Sequence, residues 1–159
     1  MQKGVMPVRI FSDGEGMFGG ATSSSVEAFN VTTPNEVIVP DFNNGRRLRV
    51  VVVPLTTGDR FEINLRTHSE TAMHFNPRFD EDTVVFNSTS GGDWQNEERV
   101  QMPFHRERVY TIEFVGQYGK IQTLINGVIF HDFNERLPSH EIRAIAMDGA
   151  VHIHSVIYV

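Results

Sequence analysis

From about residue 31 to the end of the chain, apolar and polar residues alternate in short runs, and each run stops at a turn signal. A period of two puts one class of side chain on each face of a pleated strand. Residues 61–66 set Phe61, Ile63 and Leu65 against Glu62, Asn64 and Arg66. Residues 73–79 repeat the pattern, with Met73, Phe75, Pro77 and Phe79 against His74, Asn76 and Arg78. Runs at 46–54, 84–87, 97–102, 109–115, 120–125, 128–133, 142–147 and 151–159 are strand-like too. Turns are expected at Asn43-Asn44-Gly45, Thr57-Gly58-Asp59 and Asp148-Gly149, and Asn126-Gly127 is the strongest hairpin signal in the chain. No helix longer than a turn or two is expected. Short strands at this spacing predict an all-β sandwich or barrel. Pro77 carries no N–H, so its nitrogen should face a position without a ladder bond or a bulge.

A chain of 159 residues is read as one domain with a sizeable core. Residues 1–30, with Gly14, Gly16, Gly19, Gly20 and three consecutive serines from Ser23, are expected to form a Gly/Ser-rich leader or arm. The apolar run at 5–11 within it suits an edge strand. The domain proper is placed at 31–159. A net charge of −6 argues against nucleic acid and anionic membrane as partners, both of which select basic surfaces. The absence of cysteine excludes a disulfide framework, a thiol nucleophile and cysteine-held zinc. Residues 1–16 show no apolar segment of signal-peptide length, which points to a cytoplasmic protein, with any export running without a signal peptide. Asn87-Ser88-Thr89 is a glycosylation acceptor sequence whose modification would block the face described next, and synthesis in the cytosol avoids that conflict.

Strand parity aims one set of polar residues the same way: Arg60 and Glu62, then His74, Asn76 and Arg78, then Asn87 beside Val85, then Glu97 and Arg99. Parity picks Glu97 over Glu98 for this face. Neighbouring strands lie about 4.8 Å apart, so a ring the size of a hexose spans several of them. Asn offers donors and acceptors, neutral His one of each, and Arg a planar fork of donors, which together match sugar hydroxyls. Trp94, the single tryptophan, follows Gly91-Gly92-Asp93 in a loop where its ring can pack on the apolar face of a pyranose. The expectation from the residues is a shallow carbohydrate site.

Three segments carry a resemblance: His74-Phe75-Asn76-Pro77-Arg78, Val85-x-Asn87 and Trp94-x-x-Glu97-x-Arg99. They resemble the signature of the galectin family, and the similarity spans roughly 34–159, including residues 60–65, Leu124-Ile125-Asn126-Gly127 and Asp148-Gly149. The resemblance implies a two-sheet antiparallel β-sandwich of jelly-roll type that binds β-galactosides without a metal or cofactor. It implies that His74, Asn76 and Arg78 hold the axial 4-hydroxyl of galactose, that Asn87 and Glu97 hold the 6-hydroxyl, and that Trp94 stacks. Arg78, Glu97 and Arg99 would then reach the next sugar, glucose or N-acetylglucosamine, and Arg60 and Glu62 would line an extended subsite. It also implies that two copies can pair through terminal strands into a homodimer, although the tail at 156–159 could equally be core. Two departures stand out: the segment 79–84 is short, so few extra contacts are expected from it, and Glu135-Arg136 stands where many members have His-Arg.

Competing readings are weaker. A glycoside hydrolase needs two carboxylates with one held protonated, whereas Glu97 is flanked by Arg78 and Arg99, which favour its ionised form, and Arg60 and Arg66 lie near Glu62. His152-x-His154 without a placed carboxylate is a poor metal signal. A galectin-fold protein–protein module without sugar binding is the remaining alternative.

Overall fold

The computed structural model describes residues 9–13 and 23–159. The glycines at 14, 16, 19 and 20 and residues 5–8 lie outside the described residues. In chain order the strands are β1 (Arg9–Asp13), β2 (Ser23–Val31), β3 (Asn35–Ile38), β4 (Arg47–Pro54), β5 (Phe61–Arg66), β6 (Thr71–Arg78), β7 (Thr83–Asn87) and β8 (Thr89–Ser90). They continue with β9 (Asp93–Trp94), β10 (Glu98–Gln101), β11 (Tyr110–Gln117), β12 (Lys120–Ile125), β13 (Val128–Asn134), β14 (Ala144–Gly149) and β15 (Val151–Tyr158). Helix among the described residues is confined to two single turns, Phe79–Glu81 and Ser139–Glu141. No helix among them is long and apolar enough to cross a membrane.

The strands form two antiparallel sheets, one ordered β1-β2-β15-β4-β11-β12-β13 and the other β10-β7-β6-β5-β14-β3, with β8 and β9 as a separate small hairpin. The fold is an all-β sandwich of jelly-roll type, and the alternation seen in the sequence is what builds it. In β4, Leu48, Val50 and Val52 are fully buried while Arg47 and Arg49 face out. In β5, Phe61, Ile63 and Leu65 turn inward. Each large apolar side chain so buried contributes roughly 1.5–3 kcal/mol. Phe75 sits at the centre, with ring contacts to Phe61, Phe86, Phe104 and Phe114 at 5.4–6.5 Å between centroids. Its neighbours in β6, His74 and Asn76, point to the opposite face. The core thus sets the aim of the polar row.

One local difference from the sequence reading has a physical cause. The strand containing residue 30 starts at Ser23, so the larger sheet takes in part of the expected leader. β2 pairs with β15 through residues 26–31 and with β1 through residues 23–27, and a serine run supplies the backbone groups of the second ladder as well as any other. β1 is the outer strand beyond it, as residues 9–11 of the apolar run allow. The C-terminal stretch lies between β2 and β4, and Val156 and Tyr158 are buried, so it is core. At Pro77 the β5–β6 ladder lapses after Ile63 and Phe75 and resumes as a single bridge between Arg60 and Arg78. The carbonyl of Phe61 in that gap takes the Asn76 side-chain amide at 2.8 Å. The Asn126-Gly127 turn forms with φ of +50° and +79°, the left-handed pair that such a hairpin requires.

Candidate carbohydrate-binding face

Register in the smaller sheet assembles the polar row. Asn64 of β5 stands opposite His74 of β6, and His74 stands opposite Asn87 of β7. One rung away, Asn76 opposes Val85, which in turn opposes Arg99 of β10. The residues expected from strand parity therefore meet on one face. His74, Asn76 and Asn87 are buried to 6%, 6% and 4% exposure, so their polar atoms need partners.

Those partners fix each side chain. His74 Nδ1 lies 2.6 Å from Asn64 Oδ1, a carbonyl oxygen, so Nδ1 carries the proton and Nε2 becomes the acceptor. Asn64 also acts on Glu62, whose carboxyl pKa it lowers against the larger effect of burial. Burial, the dominant effect, lowers the His74 pKa to about 4, so the ring is neutral at physiological pH. Glu62 Oε2 at 3.6 Å from Nδ1 is therefore a neighbour and not a salt-bridge partner. Asn76 accepts from Arg78 Nε at 2.7 Å while donating to Phe61. Asn87 donates to Gln95 O at 3.0 Å and accepts from Ser88 N and from Arg136 Nη1.

Beside this row lies a closed ring of charges. Glu97 bonds Arg78 at 3.2 Å and Arg99 at 2.9 Å, and Glu81 bonds the same two arginines at 2.9 and 3.1 Å. Both carboxyls are held below their ordinary range, Glu97 first by its bond from Arg99 and Glu81 first by its bond from Arg78. Glu98 faces the other way, to His131 at 2.7 Å and Arg136 at 3.0 Å, in keeping with strand parity.

Trp94 stands over the opposite end of the row. Its ring centroid is 4.5 Å from that of His74, and the residue is 54% exposed. An apolar ring left open beside buried polar groups is suited to cover the C–H face of a sugar.

Arg60 and Glu62 differ in their partners. Arg60 pairs with Asp80 at 3.1 Å and Glu81 at 3.0 Å. Arg66 bonds the Thr71 hydroxyl, so neither arginine neutralises Glu62 as the sequence suggested. Burial instead raises the Glu62 pKa, with Asp148 adding to it. Glu62 lines a groove of about 380 Å³ with Glu36, Asn64 and Asp148, and Arg60 and Glu62 share a second of about 290 Å³ with Asn76 and Gly149. Gly149 (φ +98°) permits this close approach, since a Cβ there would sit 2.6 Å from the Arg60 carbonyl.

Sequence reasoning missed Glu81, Asn64, Arg136 and Glu70. The short segment after Arg78 was expected to give few contacts, yet its helical turn delivers Glu81 to three arginines. The adjacent acids Asp80 and Glu81 beside an arginine-rich face were the available signal. Asn64 was legible by parity, as it falls on the polar side of β5. Among the described residues no group of three or more His, Cys, Asp or Glu could hold a metal. His152 and His154 are both exposed on β15.

The family profile described as Galactoside-binding lectin matches residues 30–158. The crystal structure of Caenorhabditis elegans galectin LEC-6 superposes with a TM-score of 0.82 at 49% identity, covering 84% of this chain and 95% of that one. Galectin-7 of Rattus norvegicus is 36% identical over 110 residues, 66% of this chain and 80% of that protein. Galectin-4 of Bos taurus is 34% identical over 101 residues, 62% of this chain, and the match spans 30% of that longer protein. A fold, a polar row and a set of relatives point the same way, and the chain belongs to the galectin family of galactoside-binding lectins.

Proposed function

We propose that this chain binds β-galactosides of the lactose and N-acetyllactosamine type on the exposed face of the smaller sheet. Its family is one of non-catalytic lectins, and the chain is not an enzyme. The observation that carries the reading is the row Asn64, His74 and Asn87 across three adjacent strands, with the Trp94 ring 4.5 Å from His74. In this reading His74, Asn76 and Arg78 hold the axial 4-hydroxyl of galactose. Nε2 of His74 accepts the hydroxyl proton, and Arg78 donates. Asn87 and Glu97 hold the 6-hydroxyl, and Trp94 covers the apolar face. Arg78, Glu97 and Arg99, joined by Glu81, meet glucose or N-acetylglucosamine.

Selectivity follows from the geometry of pairing. An equatorial 4-hydroxyl leaves the converging groups unpaired, at roughly 1–3 kcal/mol for each buried group, enough for about ten- to a hundredfold preference for galactose. Absolute affinity is modest, because the face exchanges bound water for similar hydrogen bonds. Beyond the galactose, Glu62 rather than Arg60 meets a longer glycan, since Arg60 is held by Asp80 and Glu81. Pairing of two copies through outer strand β1 would make binding bivalent.

Retention on immobilised lactose, with elution by free lactose and in the presence of EDTA, tests the reading. Trp94→Ala and Arg78→Ala should each flow through while keeping the wild-type far-UV spectrum. A folded wild type that flows through refutes it.

A further inference from the structure

We infer that Glu70, outside the sugar-facing row, is a positioning residue that holds Trp94 in place for its ligand. The inference rests on the reading of Trp94 as the stacking residue. Trp94 is carried by the hairpin of β8 and β9, two residues on each side of Gly91 and Gly92, both with positive φ. A hairpin this short does not hold itself in water. Packing holds the tryptophan on its His74 side alone, and over half of its surface is open.

Glu70 supplies the missing restraint from the β5–β6 connection. Its Oε1 accepts the Gly92 N–H at 3.0 Å, and its Oε2 accepts the Thr89 hydroxyl. Thr89 is the cross-strand partner of Trp94, so one carboxylate grips both the turn and the strand facing the tryptophan. The Thr89 oxygen also accepts the Thr71 N–H at 2.8 Å, which ties the hairpin to the start of β6, three residues before His74. Glu70 itself is anchored, since its N–H reaches Thr67 Oγ1 at 2.9 Å and its carbonyl accepts from Thr67 N at 2.8 Å. The base of the loop has its own bonds, Gln95 N to Ser88 O and Asn87 Nδ2 to Gln95 O. Glu70 therefore governs the tip. Ordering that tip before the ligand arrives removes an entropic penalty from binding.

Because the chain has a single tryptophan, its fluorescence reports this hairpin directly. The experiment compares acrylamide quenching of the free protein, lactose affinity by calorimetry and the thermal midpoint in wild type, Glu70→Ala and Glu70→Gln. Glu70→Ala should quench more readily and bind lactose roughly tenfold more weakly with little change in midpoint, as loss of hydrogen bonds to a charged group implies. Glu70→Gln keeps one acceptor oxygen and should fall between the two. Unchanged quenching in both variants overturns the inference, whether or not affinity falls, and so does raised quenching with unchanged affinity. If wild type itself fails to bind lactose, the sugar reading fails, and the quenching comparison still decides whether Glu70 holds Trp94.

Discussion

The Nδ1 of His74 lies 2.6 Å from the side-chain oxygen of Asn64, and this contact decides which ring nitrogen can accept from a ligand. Asn64 takes no direct part in the proposed galactose contacts, yet it sets the tautomer of a residue that does. Replacing it by alanine leaves the buried Nδ1–H without its partner and lets the ring exchange tautomers or turn. Asn64→Ala is expected to weaken lactose binding by about 1–2 kcal/mol. Nitrogen NMR of His74 should show the Nδ1–H tautomer in wild type and a mixture in the variant. A single unchanged tautomer in Asn64→Ala would dissociate the two residues.

The same histidine predicts a pH profile. Burial lowers its pKa from 6.5 to about 4, so the fold prefers the neutral ring. Between these values the unfolded chain binds more protons than the folded one. The stabilisation is therefore present above pH 6.5 and is lost as the pH falls towards 4. The shift corresponds to roughly 3 kcal/mol. Lactose affinity should be flat from neutral pH to well below 6.5 and should fall near 4, where Nε2 becomes protonated. A binding midpoint near 6.5 would mean that the ring titrates as if in water.

Glu81 joins Arg60, Arg78 and Arg99 through exposed ion pairs, so its removal should separate stability from recognition. Such pairs contribute little to folding, and Glu81→Ala should leave the thermal midpoint nearly unchanged. Arg78 and Arg99 would still lose the carboxylate that sets their spacing. Affinity for lactose should drop by about fivefold, and affinity for free galactose should change less. Equal losses for the two sugars would place Glu81 at the galactose and not at its neighbour.

Phe75 links core and face because it lies between His74 and Asn76 on β6 and is fully buried among four aromatic rings. Phe75→Ala is expected to destabilise the protein by about 3–5 kcal/mol. Urea unfolding measures this. Lactose should partly restore the midpoint, since a ligand that binds the folded state stabilises it.

Much of this was legible in the residues. Alternation fixed the strands of the sandwich because each strand has one buried face, as β4 and β5 show residue by residue. It also chose Glu97 over Glu98 for the polar face, and in the structure the first pairs with Arg78 and the second with Arg136. β2 was not legible, since Ser23, Ser24 and Ser25 pair by backbone and leave no hydrophobic signature. Glu70, Glu81 and Arg136 were hidden for another reason. Their roles depend on contacts such as Arg136 with Asn87, forty-nine residues apart, which no local period encodes. Arg60 does line a groove with Glu62, but its pairing with Asp80 and Glu81 was hidden, because proximity in sequence says nothing of the acids that a short helical turn brings closer.

The most direct test compares lactose with cellobiose by calorimetry on the wild-type protein in EDTA. The two disaccharides differ at one centre, the configuration of C4 in the non-reducing sugar. The groups of His74, Asn76 and Arg78 should favour lactose by at least about tenfold, with unchanged sugar recovered afterwards. Equal affinity for both, or no binding of lactose by the folded protein, would contradict the galactoside site.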